Sequence, residues 1–179
     1  FHNLAIVASK QRYPRQARKT ALGLLGAGQL MFQKVMVVVD DDHPVKDLDA
    51  LLDALDYRVH IPEDLVFLRG MVADTLAHAA PWDNIHDKLV IDAATPPDGD
   101  PYSELPEHPG CPDSLEISAS AVKGVVQARM LRSSMLVVTT NLEGNPKPES
   151  SMEEASEEGA ARQREVIQDI SEAIWSLEA

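Results

Sequence analysis

The sequence predicts an α/β domain in which a mostly parallel sheet is layered with helices, followed by a proline-rich arm and a C-terminal amphipathic helix. Three observations indicate this fold class. Short apolar runs alternate with helix-like segments over residues 3–92, which is typical of a parallel sheet built from βα units. Six prolines and two glycines then interrupt the alternation within residues 96–113. From residue 152 onwards, apolar side chains recur at helical spacing.

The first two strands and the helix between them have the clearest signals. Residues 4–8 form a continuous apolar run with β-branched members, which predicts a buried strand. Pro14 suits the first turn of a helix because its missing N–H costs nothing there, and we expect this helix to extend to Gly26 or Gly28. Residues 35–39 are apolar on both faces, which indicates a central parallel strand covered by helices.

The remaining elements are expected, in chain order, to be a helix, a strand, a short helix, a strand, a helix and a strand. They occupy residues 45–56, 65–68, 73–80, 89–91, 118–132 and 135–139. The expected domain organisation is an α/β core, a proline-rich arm, a continuation of the domain, a polar linker and a C-terminal helix. These segments are residues 1–95, 96–117, 118–142, 143–151 and 152–179.

The C-terminal helix carries an apolar stripe at alternating four- and three-residue steps. The stripe consists of Val166, Ile170, Ala173 and Leu177. Such a stripe packs either on its own domain or on a neighbouring subunit, so the helix is a candidate oligomerisation element.

Composition excludes several classes of function. Lys and Arg total 16 against 29 Asp and Glu, and this net charge of −13 repels nucleic-acid backbones and anionic lipids. No apolar run approaches the roughly 20 residues that span a bilayer. The single cysteine, Cys111, rules out a disulfide within the chain and fits a reducing, cytoplasmic compartment. The chain begins at Phe1 rather than Met, and we expect it to be part of a longer protein.

A basic segment between the first strand and the first helix is the main candidate binding element. It runs from Ser9 to Lys19, and Lys10 lies just before the expected helix N-terminus, where N–H groups and the helix dipole attract phosphate. The alternative is a solvated basic loop. The segment lacks the glycines of a nucleotide-binding fingerprint, so it does not indicate ATP or NAD.

Other polar groups offer weaker signals. Asp40, Asp41 and Asp42 follow the central strand, where acidic residues can hold Mg²⁺, resemble a receiver-domain pocket, or simply end the strand and cap the next helix. The six histidines form no metal-binding spacing. No serine occupies a nucleophile elbow, and Cys111 is interpreted as an incidental thiol.

Residues 5–95 resemble the C-terminal domain of the UbiD family, the prenylated-flavin-dependent carboxy-lyases that include enzymes acting on 4-hydroxybenzoates in quinone synthesis. The family pattern K-x-Y-P-G-x-A-K/R is close to the segment from Lys10 to Arg18. Further matches follow in order. They are Asp40–Asp42 after the strand, Asp53-Ala54-Leu55 with Arg58, Asp64, Thr75–Ala79, and Ile91–Thr95 at the family's D-A-T. Three positions depart from the pattern: Arg15 replaces glycine, Asp53 replaces tryptophan and Ala77 replaces aspartate.

The resemblance implies a carboxy-lyase that removes CO₂ from an aromatic or unsaturated carboxylic acid. In this family the preceding domain carries the flavin, a Glu-Arg-Glu catalytic set, and a divalent metal and potassium at the flavin phosphate, so no catalytic or metal-binding residues are expected in this chain. The C-terminal domain closes part of the active site and contributes to a homo-oligomer. The resemblance assigns Lys10 to the phosphate of prenylated FMN. It assigns the substrate pocket to Met71, Val72, Asp74, Thr75 and Leu76.

Two other readings are open from the sequence. One is an α/β interaction module without chemistry, which binds a partner through its terminal helix. The other is a receiver-like signalling domain built on Asp40–Asp42, which requires a second aspartate and a later lysine at suitable spacing.

Overall fold

The structure, a computed structural model, describes residues 3–76, 84–101, 115, 119–140 and 157–176. The chain divides into two units, residues 1–108 and 109–179. The first unit contains β1 (Leu4–Ala8), α1 (Gln16–Leu25), a 3₁₀ helix (Gly28–Phe32), β2 (Val35–Val39), α2 (Leu48–Arg58), β3 (Leu65–Val72) and β4 (Ile85–Asp92). The second contains β5 (Val125–Met130), β6 (Leu136–Thr140) and α3 (Glu157–Trp175).

The strands of the first unit form one sheet in the order β1–β2–β4–β3. β1 pairs parallel with β2, and β2 pairs parallel with β4. β3 lies at the edge and runs antiparallel to β4, with a register shift between Leu68 and Met71 where Gly70 adopts a φ of +65°. The predicted α/β class with a mostly parallel sheet is therefore confirmed.

The two helices bury opposite faces of this sheet. Ala17, Ala21 and Leu25 of α1 pack in one core cluster with Met36 and Val38 of β2. Because two of these α1 positions are alanines, the helix can lie close to the sheet. On the other face, a second cluster joins α2 to the strands and contains Val37, Val39, Leu51, Val59 and Ala93. The central strand is thus covered on both sides, as its continuous apolar sequence predicts.

The start of α2 differs from the prediction. The helix begins at Leu48 rather than at residue 45, and the carboxylate of Asp47 caps it by accepting the N–H of Ala50 at 3.1 Å. The interpretation of Asp40–Asp42 as the cap of this helix is therefore wrong. Pro44 and Asp47 form an intervening turn, in which the Asp47 N–H donates to the Pro44 carbonyl.

Lys88 is a buried lysine in the middle of β4. It is 1% exposed, and its Nζ donates to the backbone carbonyls of Met31 at 2.7 Å and Gln33 at 3.0 Å. Burial lowers the pKa of Lys88. The side chain satisfies two carbonyls at the end of the 3₁₀ helix and ties the α1–β2 connection to the sheet.

The second unit contains a hairpin where the sequence predicts a helix. Residues 125–130 form β5, which pairs antiparallel with β6, so the helix expected over 118–132 is wrong for these residues. Ala119 and Ser120, at the start of that span, are helical. Gly124 starts the strand with a φ of +92°, a conformation that interrupts a helix, and strand pairing then outweighs helix propensity. A Cβ on Gly124 would lie 3.2 Å from Cδ1 of Ile170, so the stripe of α3 packs within its own unit at this residue.

Several predictions fall partly or wholly outside the described residues. Residues 73–76 form no helix, and the rest of the short helix expected over 73–80 lies outside the described part. The arm is described at residues 96–101 and 115, whereas Cys111, the 143–151 linker and Leu177 lie outside. In the part of the chain that is described, no helix is long and apolar enough to cross a membrane.

Candidate functional site

Polar and charged side chains gather at one edge of the first sheet, which we call the carboxyl edge. The loop of residues 9–15 follows β1, Asp40 follows β2, and residues 93–100 follow β4. Asp64 immediately precedes β3, and because β3 is antiparallel, its start lies at this same edge. Ligands of open α/β sheets bind at the carboxyl ends of the parallel strands, so a binding site is expected at this edge.

The loop of residues 9–15, here called the Lys10 loop, is held at both ends. The Ser9 N–H donates to the Val39 carbonyl at 2.9 Å, which continues the sheet beyond β1. At the other end, the Arg12 N–H donates to Oε1 of Gln16 at 2.8 Å. The Gln11 side chain donates to the Ser9 carbonyl at 2.7 Å. The loop backbone is therefore fixed before any ligand arrives.

Lys10 lies on this loop with its side chain available. The residue is exposed and makes no hydrogen bond or ion pair with any described residue. The loop leads into the N-terminus of α1, which has no side-chain cap. Lys10 lies six residues before Gln16, the first residue of α1, and its assignment to a phosphate group stays a prediction.

Arg15 ends the Lys10 loop in an unusual conformation. Its φ of +62° and ψ of 20° place it in the left-handed region, which costs a non-glycine residue roughly 1–2 kcal/mol. Glycine, the residue that the resemblance implies at this position, adopts this conformation without that cost. Nη1 of Arg15 contacts Oδ1 of Asp64 at 2.9 Å, and Nη2 lies 3.5 Å from Oδ1 of Asp100. The contact with Asp64 is a hydrogen bond and opposes this conformational cost.

Asp64 is the centre of this charged cluster. It is 8% exposed, and its Oδ1 lies within 3.6 Å of Nη2 of Arg18 as well as bonding to Arg15. Its Oδ2 accepts the N–H of His60 at 3.0 Å. The Asp64 carbonyl accepts the N–H of Asp92 at 2.9 Å. Asp64 therefore joins α1, the turn before β3 and the end of β4.

Asp92 is a buried carboxyl group in the same cluster. One of its oxygens accepts the Ala94 N–H at 3.3 Å, and the residue is 8% exposed. Burial is the main cause that raises the pKa of Asp92 to about 6, and the negative charge of Asp64 raises it further. The hydrogen bond from the Ala94 N–H and the positive charges of Arg18 and Arg15 lower this pKa. Asp92 therefore changes its protonation state in mildly acidic solution.

A small cavity opens at this cluster. Its volume of about 20 Å³ leaves room for one water molecule, far less than an aromatic acid requires. The lining residues are Gln11, Arg15, Asp64, Asp92, Ala94, Thr95, Pro96, Pro97 and Asp100. The cavity is consequently not a substrate pocket by itself.

Asp40 anchors three segments beside this cavity. Its carboxylate accepts hydrogen bonds from Nη1 of Arg58, from Oγ1 of Thr95 at 2.7 Å, and from the Thr95 N–H at 3.0 Å. It thus ties β2 to the end of α2 and to the loop after β4. This role differs from both a magnesium ligand and a phosphorylated aspartate. Within the described residues, no group of three or more His, Cys, Asp or Glu side chains could hold a metal ion.

The predicted substrate-pocket residues lie at the opposite edge of the sheet. Met71 and Val72 pair with His86 and Ile85, at the beginning of β4. Asp74 shapes the segment that follows, because its Oδ1 accepts the Leu76 N–H at 3.0 Å. At about 3.3 Å per residue, the two ends of β4 are roughly 23 Å apart. The structure therefore does not bring Lys10 together with the predicted pocket residues, which are Met71, Val72, Asp74, Thr75 and Leu76.

Sequence reasoning missed the charged cluster as a unit. Arg15, Asp64 and Asp100 were not predicted to interact, because the partners are 49 and 85 residues apart in the chain. A signal was present: Arg18, Arg58, Asp64 and Asp92 all match the family pattern, and in the structure all of them lie at the carboxyl edge.

Comparisons with known proteins agree with the fold of the first unit. A family model described as the 3-octaprenyl-4-hydroxybenzoate carboxy-lyase C-terminal domain, UbiD_C, matches residues 1–93. A protein of Archaeoglobus fulgidus whose function is uncharacterised is 44% identical over 93 residues, which is 52% of this chain and 19% of that protein. A 4-hydroxybenzoate decarboxylase component from Chlamydia pneumoniae is 33% identical over 81 residues, or 45% of this chain and 14% of that protein.

Solved structures give the same relationship. The vanillic acid decarboxylase of Sedimentibacter hydroxybenzoicus in its open form is 28% identical with a TM-score of 0.54, and the match covers 62% of this chain and 24% of that one. Its closed form gives a TM-score of 0.53 at the same identity, over 61% and 23% of the two chains. The chain therefore spans between about a seventh and a quarter of the length of these relatives.

Proposed function

The chain belongs to the UbiD family of carboxy-lyases, because its residues 1–93 match the C-terminal domain of that family, and we propose that it serves as the active-site-closing and oligomerisation domain of a decarboxylase. The substrate class is an aromatic or unsaturated carboxylic acid, and the protein is a homo-oligomer. The observation that carries the proposal is that Lys10 is exposed on a hydrogen-bonded loop that leads into the N-terminus of α1, which has no side-chain cap.

Lys10 binds the phosphate of prenylated FMN in this proposal. Its ammonium group makes no ion pair with any described residue, so binding a phosphate breaks no internal contact. Five cationic residues lie at positions 10–19, and two of them, Arg15 and Arg18, contact Asp64. Lys10 makes no such contact and is the cation proposed to meet the phosphate.

The chemistry of decarboxylation comes mainly from outside this domain. Bound prenylated FMN would supply an electron sink for the electron pair that remains on the substrate when CO₂ leaves. The family's Glu-Arg-Glu set, divalent metal and potassium are assigned to residues beyond this chain. Within it, the Lys10 loop holds the phosphate end in place, and the surrounding structure keeps water out of the closed site.

Met71, Val72, Asp74, Thr75 and Leu76 are proposed to line the substrate pocket. Leu76 is 62% exposed and Val72 is 44% exposed, so apolar surface is available here to cover a substrate. The relative from Sedimentibacter hydroxybenzoicus is known in open and closed forms, which supports a closing movement in this family. Since these residues lie far from Lys10, they approach the active site from the opposite side of the domain.

The proposal is tested in protein expressed from the complete natural reading frame that contains this sequence. Flavin retained after gel filtration is measured by absorbance, and CO₂ release is measured with 4-hydroxybenzoate and vanillate. Lys10→Ala is expected to weaken flavin binding roughly 10-fold or more, because a charge-assisted hydrogen bond contributes about 1.5–3 kcal/mol.

Arg12→Ala is the matched control, since Arg12 is an exposed cation on the same loop. It is expected to retain as much flavin as the unaltered protein. Equal retention by Lys10→Ala and Arg12→Ala would remove Lys10 from the cofactor site. A protein without flavin and without CO₂ release would point instead to an α/β interaction module.

A further inference from the structure

Arg15 occupies a position where backbone geometry and side-chain contacts impose opposite demands. The left-handed conformation is one that glycine adopts without strain, whereas arginine does not. Yet the arginine side chain reaches two aspartates, Asp64 and Asp100, which are 8% and 6% exposed. A glycine would satisfy the backbone but leave both contacts unmade.

The two aspartates belong to segments that are themselves fixed. Asp64 accepts the His60 N–H, and its carbonyl receives the N–H of Asp92 at the end of β4. The N–H of Asp100 donates to the Pro97 carbonyl at 3.1 Å in the loop after β4. Arg15 therefore attaches the end of the Lys10 loop to two rigid points across the carboxyl edge.

We propose that Arg15 is a positioning residue: its contacts with Asp64 and Asp100 lock the Lys10 loop in the conformation that presents Lys10 to an anionic ligand. The inference rests on the proposed function for the identity of that ligand, the phosphate of a flavin. The locking itself is independent of the ligand.

The locking is measured first, by amide hydrogen exchange of the Lys10 loop in the complete natural protein without added ligand. Arg15→Gly keeps the left-handed backbone accessible but removes both contacts, and it is expected to speed exchange at the Arg12 and Gln16 amides at least about 5-fold. Arg12→Gly is the matched control, because it also places a glycine in the loop and removes one positive charge. Asp64→Asn weakens the contact without altering the loop sequence and is expected to change exchange in the same direction as Arg15→Gly.

The action through Lys10 is measured next, by flavin dissociation constants in a double-mutant cycle. Arg15→Gly is expected to weaken flavin binding about 3- to 10-fold in the natural background and to have no further effect when Lys10→Ala is already present. Arg15→Lys, which retains the positive charge, is expected to restore part of the affinity. A general loss of structure would instead add to the Lys10→Ala effect.

The outcomes separate the two claims. Unchanged exchange in Arg15→Gly, or the same increase in Arg12→Gly, overturns the locking. Faster exchange with independent, additive effects on flavin binding overturns the action through Lys10. Faster exchange in Arg15→Gly, together with no effect of Lys10→Ala on flavin, leaves the locking established and refutes the proposed flavin-binding role of Lys10.

Discussion

Asp92 should make the stability of the first unit depend on pH in the opposite sense to most aspartates. Its pKa is raised from the ordinary value of 3.8 to about 6, chiefly by burial. The folded state therefore holds a proton between these pH values that the unfolded chain releases. Stability falls with rising pH wherever the folded state binds more protons, so this group destabilises the unit progressively between about pH 3.8 and 6.

The size of the effect follows from the pKa difference. A difference of about two pKa units, at roughly 1.4 kcal/mol each, lowers the free energy of unfolding by about 3 kcal/mol above pH 6. Below pH 3.8 the free energy of unfolding is not lowered. Asp92→Asn removes the charge and keeps an oxygen that can accept the Ala94 N–H. We expect the variant to match the unaltered chain near pH 4 and to exceed its free energy of unfolding by up to about 3 kcal/mol at pH 7.

The assay is urea unfolding at several pH values, followed through the backbone amide signals of β2. These amides belong to the buried centre of the first unit, so they report its unfolding without contribution from the second. Asp98→Asn, an exposed aspartate in the neighbouring loop, is the control and should change the free energy of unfolding by less than about 0.5 kcal/mol. The reasoning is refuted if Asp92→Asn is equally or less stable at pH 7, or if the difference between the two proteins does not grow from pH 4 to pH 7.

Three further changes test other parts of the structure. Asp40→Ala should lower the free energy of unfolding by about 2–4 kcal/mol, because it leaves Arg58 and Thr95 without their acceptor. Asp41→Ala, at an exposed position, should lower it by less than about 0.5 kcal/mol, and urea unfolding measures both variants. Lys88→Met should cost about 1–3 kcal/mol in the same measurement because two buried carbonyls lose their donor. Gly124→Ala should destabilise the second unit by about 1–2 kcal/mol through strain and crowding against Ile170, and unchanged β5 amide exchange would contradict this.

The first two strands of the first unit could be predicted because they are apolar throughout. The run at residues 35–39 predicts β2 at the bounds observed, and the run at 4–8 predicts the bounds of β1. The prediction that β1 is buried is wrong, because it is an edge strand whose two end residues are exposed. β4 was predicted at 89–91 but spans eight residues, because His86 and Lys88 are buried polar residues that hide its first half from a hydropathy pattern. Burial of Lys88 depends on two carbonyls 55 and 57 residues earlier, which local sequence does not show.

The second unit shows where local reasoning fails. The composition of residues 118–132 is compatible with a helix. Residues 125–130 form a strand because they pair with β6, and this pairing cannot be predicted from their own sequence. At the candidate site, the position of Lys10 before a helix was predictable from residue order alone. The contacts of Arg15 were not, because they require the antiparallel β3 to bring Asp64 to the carboxyl edge.

The direction of β3 also limits how one domain can contribute to one active site. A fully parallel sheet would put the residues after β3 at the carboxyl edge beside Lys10. In the observed sheet, β3 begins at that edge and ends at the opposite one. Met71–Leu76 therefore lie roughly 23 Å from the carboxyl edge, measured along β4. If both assignments hold, the two segments contact ligands from opposite sides. Leu76→Ala should then raise the KM for the acid without changing flavin retention. Lys10→Ala should lower flavin retention without changing the KM for the acid. A joint loss of both properties in either variant would contradict this division.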